Sequence, residues 1–167
     1  MIKAMVSLVD GLPLSDENAL LEITFDDYFL MITEHKMQGF KKVVVNMFKI
    51  PLENIVDTVI TTQREIVDKQ KSVIGRGIVG GVIFGGAGLI LGGMSGIGSK
   101  KKTQISDVYI VSYVSSAGEV KNIIFSMPPM MVSVTKKFDK EFKSRIVTIP
   151  KSEAVRRVLS ASKETVL

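Results

Sequence analysis

One stretch of this sequence has residue types and spacing suited to ligand chemistry. In Gly93-Met94-Ser95-Gly96-Ile97-Gly98-Ser99-Lys100, four residues separate Gly93 from Gly98, as in a phosphate-cradling loop. The Gly-Lys-Ser/Thr ending of a nucleotide-hydrolysing loop is replaced by Gly-Ser-Lys, and the lysine is displaced by one position. Neither a strand before this stretch nor a helix after it is expected, so a P-loop NTPase is excluded. Binding without hydrolysis remains open. Free backbone N–H groups in a glycine-rich turn beside Lys100, Lys101 and Lys102 can hold a phosphate. Gly98, Lys100, Lys101 and Lys102 are therefore the candidate anion-binding residues, with a nucleotide-like small molecule as the candidate ligand.

The remaining titratable residues form no reactive set. His35 is the sole histidine, between Glu34 and Lys36, and the chain has no cysteine, so no metal-ligand spacing exists; the expectation is a surface residue and no metal site. Asp16-Glu17 and Asp26-Asp27 are adjacent carboxylates, which point apart on a strand and commonly mark turns rather than an acid–base pair. No nucleophile, base and orienting group occur together. The reading is a non-enzymatic protein with no catalytic residue and no cofactor.

The glycines continue upstream in a regular pattern. From Gly77 to Ser99 no residue is charged, a length that suffices to cross a bilayer, and Arg76 and Lys100 flank the run. On a helix, Gly77, Gly81, Gly85, Gly88, Gly92 and Gly96 fall within an arc of about 100°, a flat face that lets another backbone approach closely. Each glycine costs about 0.8–1 kcal/mol relative to alanine in a helix interior, so packing must offset the sum. Gly85-Gly86 with Gly88 offers a break. The expectation is a helical hairpin of two short helices, Ile78–Phe84 and Leu89–Met94, with Phe84 and Leu89 beside the glycine face. Such a hairpin can pack on the domain's own sheet, join copies or a protein partner, build a larger assembly, or dip into a membrane.

The elements around it are mostly strands. Ala19–Phe25 and Tyr28–Thr33 read as a hairpin turning at Asp26-Asp27, Lys41–Ile50 as a strand stopped by Pro51, and Ile55–Val67 as a strand leading into a bend. Gln104–Val114, with Tyr109, Val111 and Tyr113 on one face, and Val120–Met127 make the clearest hairpin. After Pro128-Pro129, the spacing of Val134, Phe138, Phe142 and Ile146 predicts an amphipathic helix with lysines between. Ser152 and Glu153 then start a second, loosely held helix through Val155, Val158 and Leu159.

Composition sets the frame. The 167 residues suit one domain rather than two, and 46% are apolar, much of the excess lying in the glycine-rich stretch. Residues 1–99 carry 9 Lys and Arg against 11 Asp and Glu, and residues 100–167 carry 13 against 6. A basic C-terminal part attracts anions or anionic lipid, but a solvated helix face gives the same count. Phe138 and Phe142 lie on the apolar helix face rather than among exposed lysines, so no sequence-specific nucleic-acid binding is expected. Zero cysteines and a first segment without a secretory pattern point to the cytoplasm, with attachment at the periphery of a membrane as a further option.

Taken together, several motifs resemble one family. A start like Val9-Asp10-Gly11-Leu12-Pro13-Leu14, a glycine-rich insert like Gly80 to Gly93, the basic run Lys100-Lys101-Lys102, a strand like Tyr109 to Tyr113 and a helix like Lys136 to Phe142 are similar to small bacterial and phage proteins with a pleckstrin-homology-like (PH-like) fold. The resemblance covers roughly residues 9–146. It implies an α+β, mostly β fold: a curved antiparallel sheet, a closing C-terminal amphipathic helix and an inserted glycine-rich helical hairpin. Residues 1–150 are then the domain, with the glycine zipper at 75–99, and residues 151–167 a C-terminal helical tail. The functional expectation is an interaction module, self-associating or docking a partner through the zipper. Sequestration of an anionic small molecule and peripheral membrane binding are the alternatives.

Overall fold

The computed structural model describes residues 2–62, 78–79, 82–83 and 107–163. Its strands are β1 (Ala4–Asp10), β2 (Leu20–Phe25), β3 (Phe29–Gln38), β4 (Lys41–Pro51), β5 (Ile55–Thr62), β6 (Ile78–Val79), β7 (Val82–Ile83), β8 (Asp107–Val114) and β9 (Val120–Ser126). Two helices follow, α1 (Val132–Ile146) and α2 (Glu153–Lys163). Seven strands form one antiparallel sheet in the order β4-β3-β2-β1-β9-β8-β5, and β6 with β7 forms a separate two-stranded ladder.

Local chemistry sets the turns. At the β2–β3 corner the Asp26 carboxylate accepts from the N–H groups of Tyr28 and Phe29, each at 2.7 Å, so the paired acids mark a turn as expected. Gly118 closes the β8–β9 hairpin with φ +80°. Gly11 has φ +108°, and a Cβ there would lie 2.6 Å from the Asn122 carbonyl oxygen, so β1 can leave the sheet beside β9 only through glycine.

Strand β1 was not assigned from the sequence, yet it is central, joining β2 on one side and β9 on the other. Side chains from all seven strands and α1 meet in one core that includes Val6, Ile23, Ile32, Ile55, Val111 and Phe125. A seven-stranded antiparallel sheet with a C-terminal helix packed on it is what the resemblance implied. Phe25 packs edge-on against Phe138 with centroids 5.5 Å apart and lies 5.2 Å from Phe142, which stacks on Phe138 at 5.9 Å. These ring contacts add to the burial of the aromatic surface itself.

Helix α1 follows the expected pattern with one correction. Phe138, Phe142 and Ile146 are buried, but Val134 is exposed and Thr135 takes the inner place, its hydroxyl donating to the Met131 carbonyl at 2.9 Å. A strict spacing of four drifts around a helix of 3.6 residues per turn, so the fourfold series cannot stay inward along its length. Helix α2 starts where the sequence placed it, with the Ser152 hydroxyl accepting from the Val155 N–H at 3.3 Å. It is held more firmly than expected: Val155 is fully buried with Val56 and Val114, and Val158 and Leu159 pack beside it.

The β5–β8–β9 end of the sheet is covered on both sides. Tyr109, Val111, Ile123 and Phe125 face the main core, while Val108, Ile110 and Ile124, which alternate with them, are fully buried outside it. Strand β7 approaches both β5 and β8. Here the structure corrects the sequence: the segment Ile78–Phe84, expected as a helix, is extended at Ile78–Val79 and Val82–Ile83, which pair as Ile78↔Ile83 and Val79↔Val82. The β-branched residues favour the extended backbone, and the two residues between the strands in the sequence, Gly80 and Gly81, are of the type favoured in two-residue hairpin connections. The second expected helix, Leu89–Met94, lies outside the described residues.

Candidate interaction site

The fold shows where the glycine-rich insert is attached. Strands β5 and β8 are antiparallel neighbours, and Thr62 and Asp107 are register partners. A hairpin of two residues suffices to join such strands, yet residues 63–106 stand between them. The pairing of β5 with β8 therefore needs no more than a turn at this point. Gly77, Gly81, Phe84, Gly85, Gly88, Leu89, Gly92 and Gly96, the expected interaction residues, lie outside the described residues, and so do Gly98, Lys100, Lys101 and Lys102.

Strand order, closing helix and point of insertion are thus fixed, and the sequence can be set against known families on that basis. Residues 14–125 match the model of the family described as glycine zipper containing PH domain. The chain belongs to that family. No curated protein and no solved structure gives a significant match. In this glycine-zipper PH domain the match starts in the loop before β2 and ends in β9, so it spans the insert and most of the sheet, while α1 and α2 fall beyond it.

Within the PH frame the buried polar groups join elements together. Asp139 of α1 accepts hydrogen bonds from the hydroxyls of Thr58 on β5 and Tyr109 on β8, the latter at 3.1 Å, and Lys143 lies 3.4 Å from its other oxygen. Burial, reinforced by the Asp139 charge, pushes the Tyr109 phenol well above its ordinary value, so this hydroxyl stays protonated and donates. On the outer face, the Ser112 hydroxyl bonds Asn122 Oδ1 at 2.5 Å across the β8–β9 pair. Sequence reading missed Asp139 because its lysine neighbours mark a solvated face; the only available signal was an acid one position after the inward Phe138.

A third buried group organises the N-terminal loop. Glu34, buried on β3, accepts from the N–H groups of Ser15 at 3.2 Å and Asp16 at 2.9 Å and from the Asn46 amide at 2.6 Å. Burial pushes its carboxyl up, but the Asn46 amide and the two backbone donors outweigh that and hold it below the ordinary glutamate value of 4.5. The ionised form is the one the fold binds, so its contribution is complete above 4.5 and disappears as pH falls through the lower folded value. Glu34→Gln is therefore expected to flatten the acid limb of melting temperature against pH. An acid limb unchanged from that of the native chain would contradict the role given to Glu34.

Next to it, His35 departs from the expected surface position. It is partly buried, and its Nδ1 is enclosed without a hydrogen-bond partner. Burial, with Lys42 nearby, holds the imidazole below its ordinary value and keeps it neutral at pH 7. Among the described residues no group of three His, Asp or Glu side chains could hold a metal ion, and no helix is long and apolar enough to cross a membrane.

Sequence reading also passed over the far edge of the sheet. Lys41–Ile50 was read simply as a strand, but Phe40 at its start is fully exposed (106%), and Val43, Val44, Val45 and Met47 are exposed on β4. The signal was present in Val43-Val44-Val45: three consecutive aliphatic residues cannot all face a core from one strand.

Proposed function

We propose that this glycine-zipper PH domain is a non-enzymatic interaction module whose insert joins it to a second copy or to a protein partner. The supporting observation is the register pair Thr62↔Asp107: the sheet needs no more than a turn at this point and instead carries residues 63–106. β7, which belongs to the insert, approaches β5 and β8. Beyond the extended β6–β7 pair, Gly88, Gly92 and Gly96 recur at four-residue spacing, which suits a close approach of another backbone. The module is expected to work in the cytoplasm.

Gly88→Leu and Gly92→Leu test the reading, because a leucine intrudes where backbones touch and overpacking costs about 1–3 kcal/mol. Sedimentation equilibrium is expected to show an assembly in the native chain that weakens or dissociates in both variants, with the circular-dichroism spectrum of the sheet retained. Identical mass and melting temperature in all three proteins would remove the glycine face from the account. The second reading, capture of an anionic small molecule by Gly98, Lys100, Lys101 and Lys102, rests on their sequence alone. Calorimetric titration with nucleotides that gives no heat would dismiss it.

A further inference from the structure

Among the described residues, the β3–β4 pair has no third strand beside it beyond Glu34. β2 pairs with β3 only from Phe25↔Leu30 to Leu21↔Glu34, whereas β3 and β4 run on to Gln38↔Lys41. Residues 35–45 thus form a two-stranded ribbon that projects past the sheet. A bulge marks its base: Glu34 pairs with Asn46 and His35 with Val44, which leaves Val45 as the extra residue. It exposes apolar side chains, with Met37 at 63% and Val44 at 50% beside the tip residue Phe40. A ribbon of this kind is marginally stable by itself in water.

The two edges of the sheet are treated differently. At the β5 edge Lys151 donates to the Ile55 carbonyl at 2.9 Å, the Ser152 N–H donates to the Glu53 carbonyl at 3.0 Å, and α2 packs alongside. Such covering blocks unwanted strand pairing. Among the described residues β4 pairs with β3 alone and no element covers its outer side. Residues 35–49 carry Lys36, Lys41, Lys42 and Lys49 and no carboxylate. Glu34 at the base is buried and already bonded, and Glu22 lies 3.5 Å from Lys42 while also pairing with Lys3.

We propose that the outer edge of β4 docks an extended segment of a partner protein, one that alternates aliphatic and acidic side chains and adds a further strand to the sheet. Strand addition supplies partners for the unpaired N–H and C=O groups of the edge, which side-chain contacts alone do not. Alternation sets its aliphatic residues on one face and its acids on the other, so the aliphatics cover Val43 on one side of β4 and the acids meet Lys42 on the other. A lipid surface fits less well, because an open strand edge has no hydrogen-bond partner in hydrocarbon. A second copy of the ribbon would bring three more lysines and no carboxylate. The site is at the opposite edge of the sheet from the insert's attachment and does not depend on the insert driving assembly.

The test is a nuclear magnetic resonance titration of the full chain with the acetylated peptide Asp-Val-Glu-Val-Asp-Val-Glu. Controls are the same peptide with alternate backbone nitrogens methylated and the lysine analogue of its acids. Expected are saturating amide shifts at residues 36–47, absent with the methylated and the lysine peptides. Lys41→Glu with Lys42→Glu should weaken binding by about tenfold or more, and since both side chains are exposed, the variant's melting temperature should stay close to that of the native chain. Absence of shifts at 36–47 at millimolar peptide, or an equal response to the lysine peptide, would overturn the proposal. So would phosphatidylserine vesicles perturbing these amides when the acidic peptide does not, which assigns the ribbon to lipid. An assembly dissociated by Val44→Glu, with no peptide response, would overturn it in favour of a second copy.

Discussion

Asp139→Ala is expected to lower the stability of the domain by about 2–4 kcal/mol, because it strands two enclosed hydroxyls. Thr58 and Tyr109 are fully buried, and Asp139 is the acceptor that both hydroxyls reach. Without it they stay desolvated and lose that acceptor, each at a cost of roughly 1–3 kcal/mol, part of which the remaining bonds recover. For a chain of this size the loss corresponds to a fall in melting temperature of roughly 5–15 °C. Tyr109→Phe removes only one donor and leaves Asp139 bonded to Thr58 and paired with Lys143, so it should cost about 1 kcal/mol. Thermal melts of the two variants, compared with the native chain, check this. A value for Asp139→Ala within about 0.5 kcal/mol of the native protein would show that α1 is held by its aromatic face alone.

Ile110→Asp is expected to be at least as damaging, although Ile110 points away from the core beneath α1. The outer face of β8 and β9 is covered: Ile110, Val108 and Ile124 are fully buried, and β7 approaches β8. A carboxylate placed there loses its hydration, and a buried charge left unpaired costs about 3–5 kcal/mol. Denaturant titration is the measurement, and a change below about 1 kcal/mol would mean that this face meets water. Together the two variants probe opposite sides of β8, which separates a sheet packed on one face from one packed on both.

How much of this was legible depends on the distance over which each feature is determined. The β2–β3 corner and the start of α2 could be read because their chemistry is local: Asp26 caps its own turn, and Ser152 caps the helix three residues on. β8 and β9 were legible because their apolar face alternates and their turn carries Gly118. β1 was not, since its place is set by pairing with β9, more than a hundred residues away, and no local signal announces that. The helix assigned to Ile78–Phe84 followed glycine spacing, but the β-branched Ile78, Val79, Val82 and Ile83 decide the backbone where it is described. Val43-Val44-Val45 signalled that part of β4 lies off the core, but the extent of the bare ribbon depends on where β2 stops, which is a property of the sheet and not of Lys41–Pro51 itself.

The central claim is that the PH frame carries a glycine-rich insert whose work is association. Native mass spectrometry of the full chain, gently purified, tests it most directly, since one spectrum reports both subunit number and any retained small ligand. The account predicts a multiple of the 18.3 kDa chain, free of added ligand mass, that falls to a single chain on Gly92→Leu. A single chain carrying a fixed extra mass of nucleotide size would contradict it and give the insert to ligand capture instead.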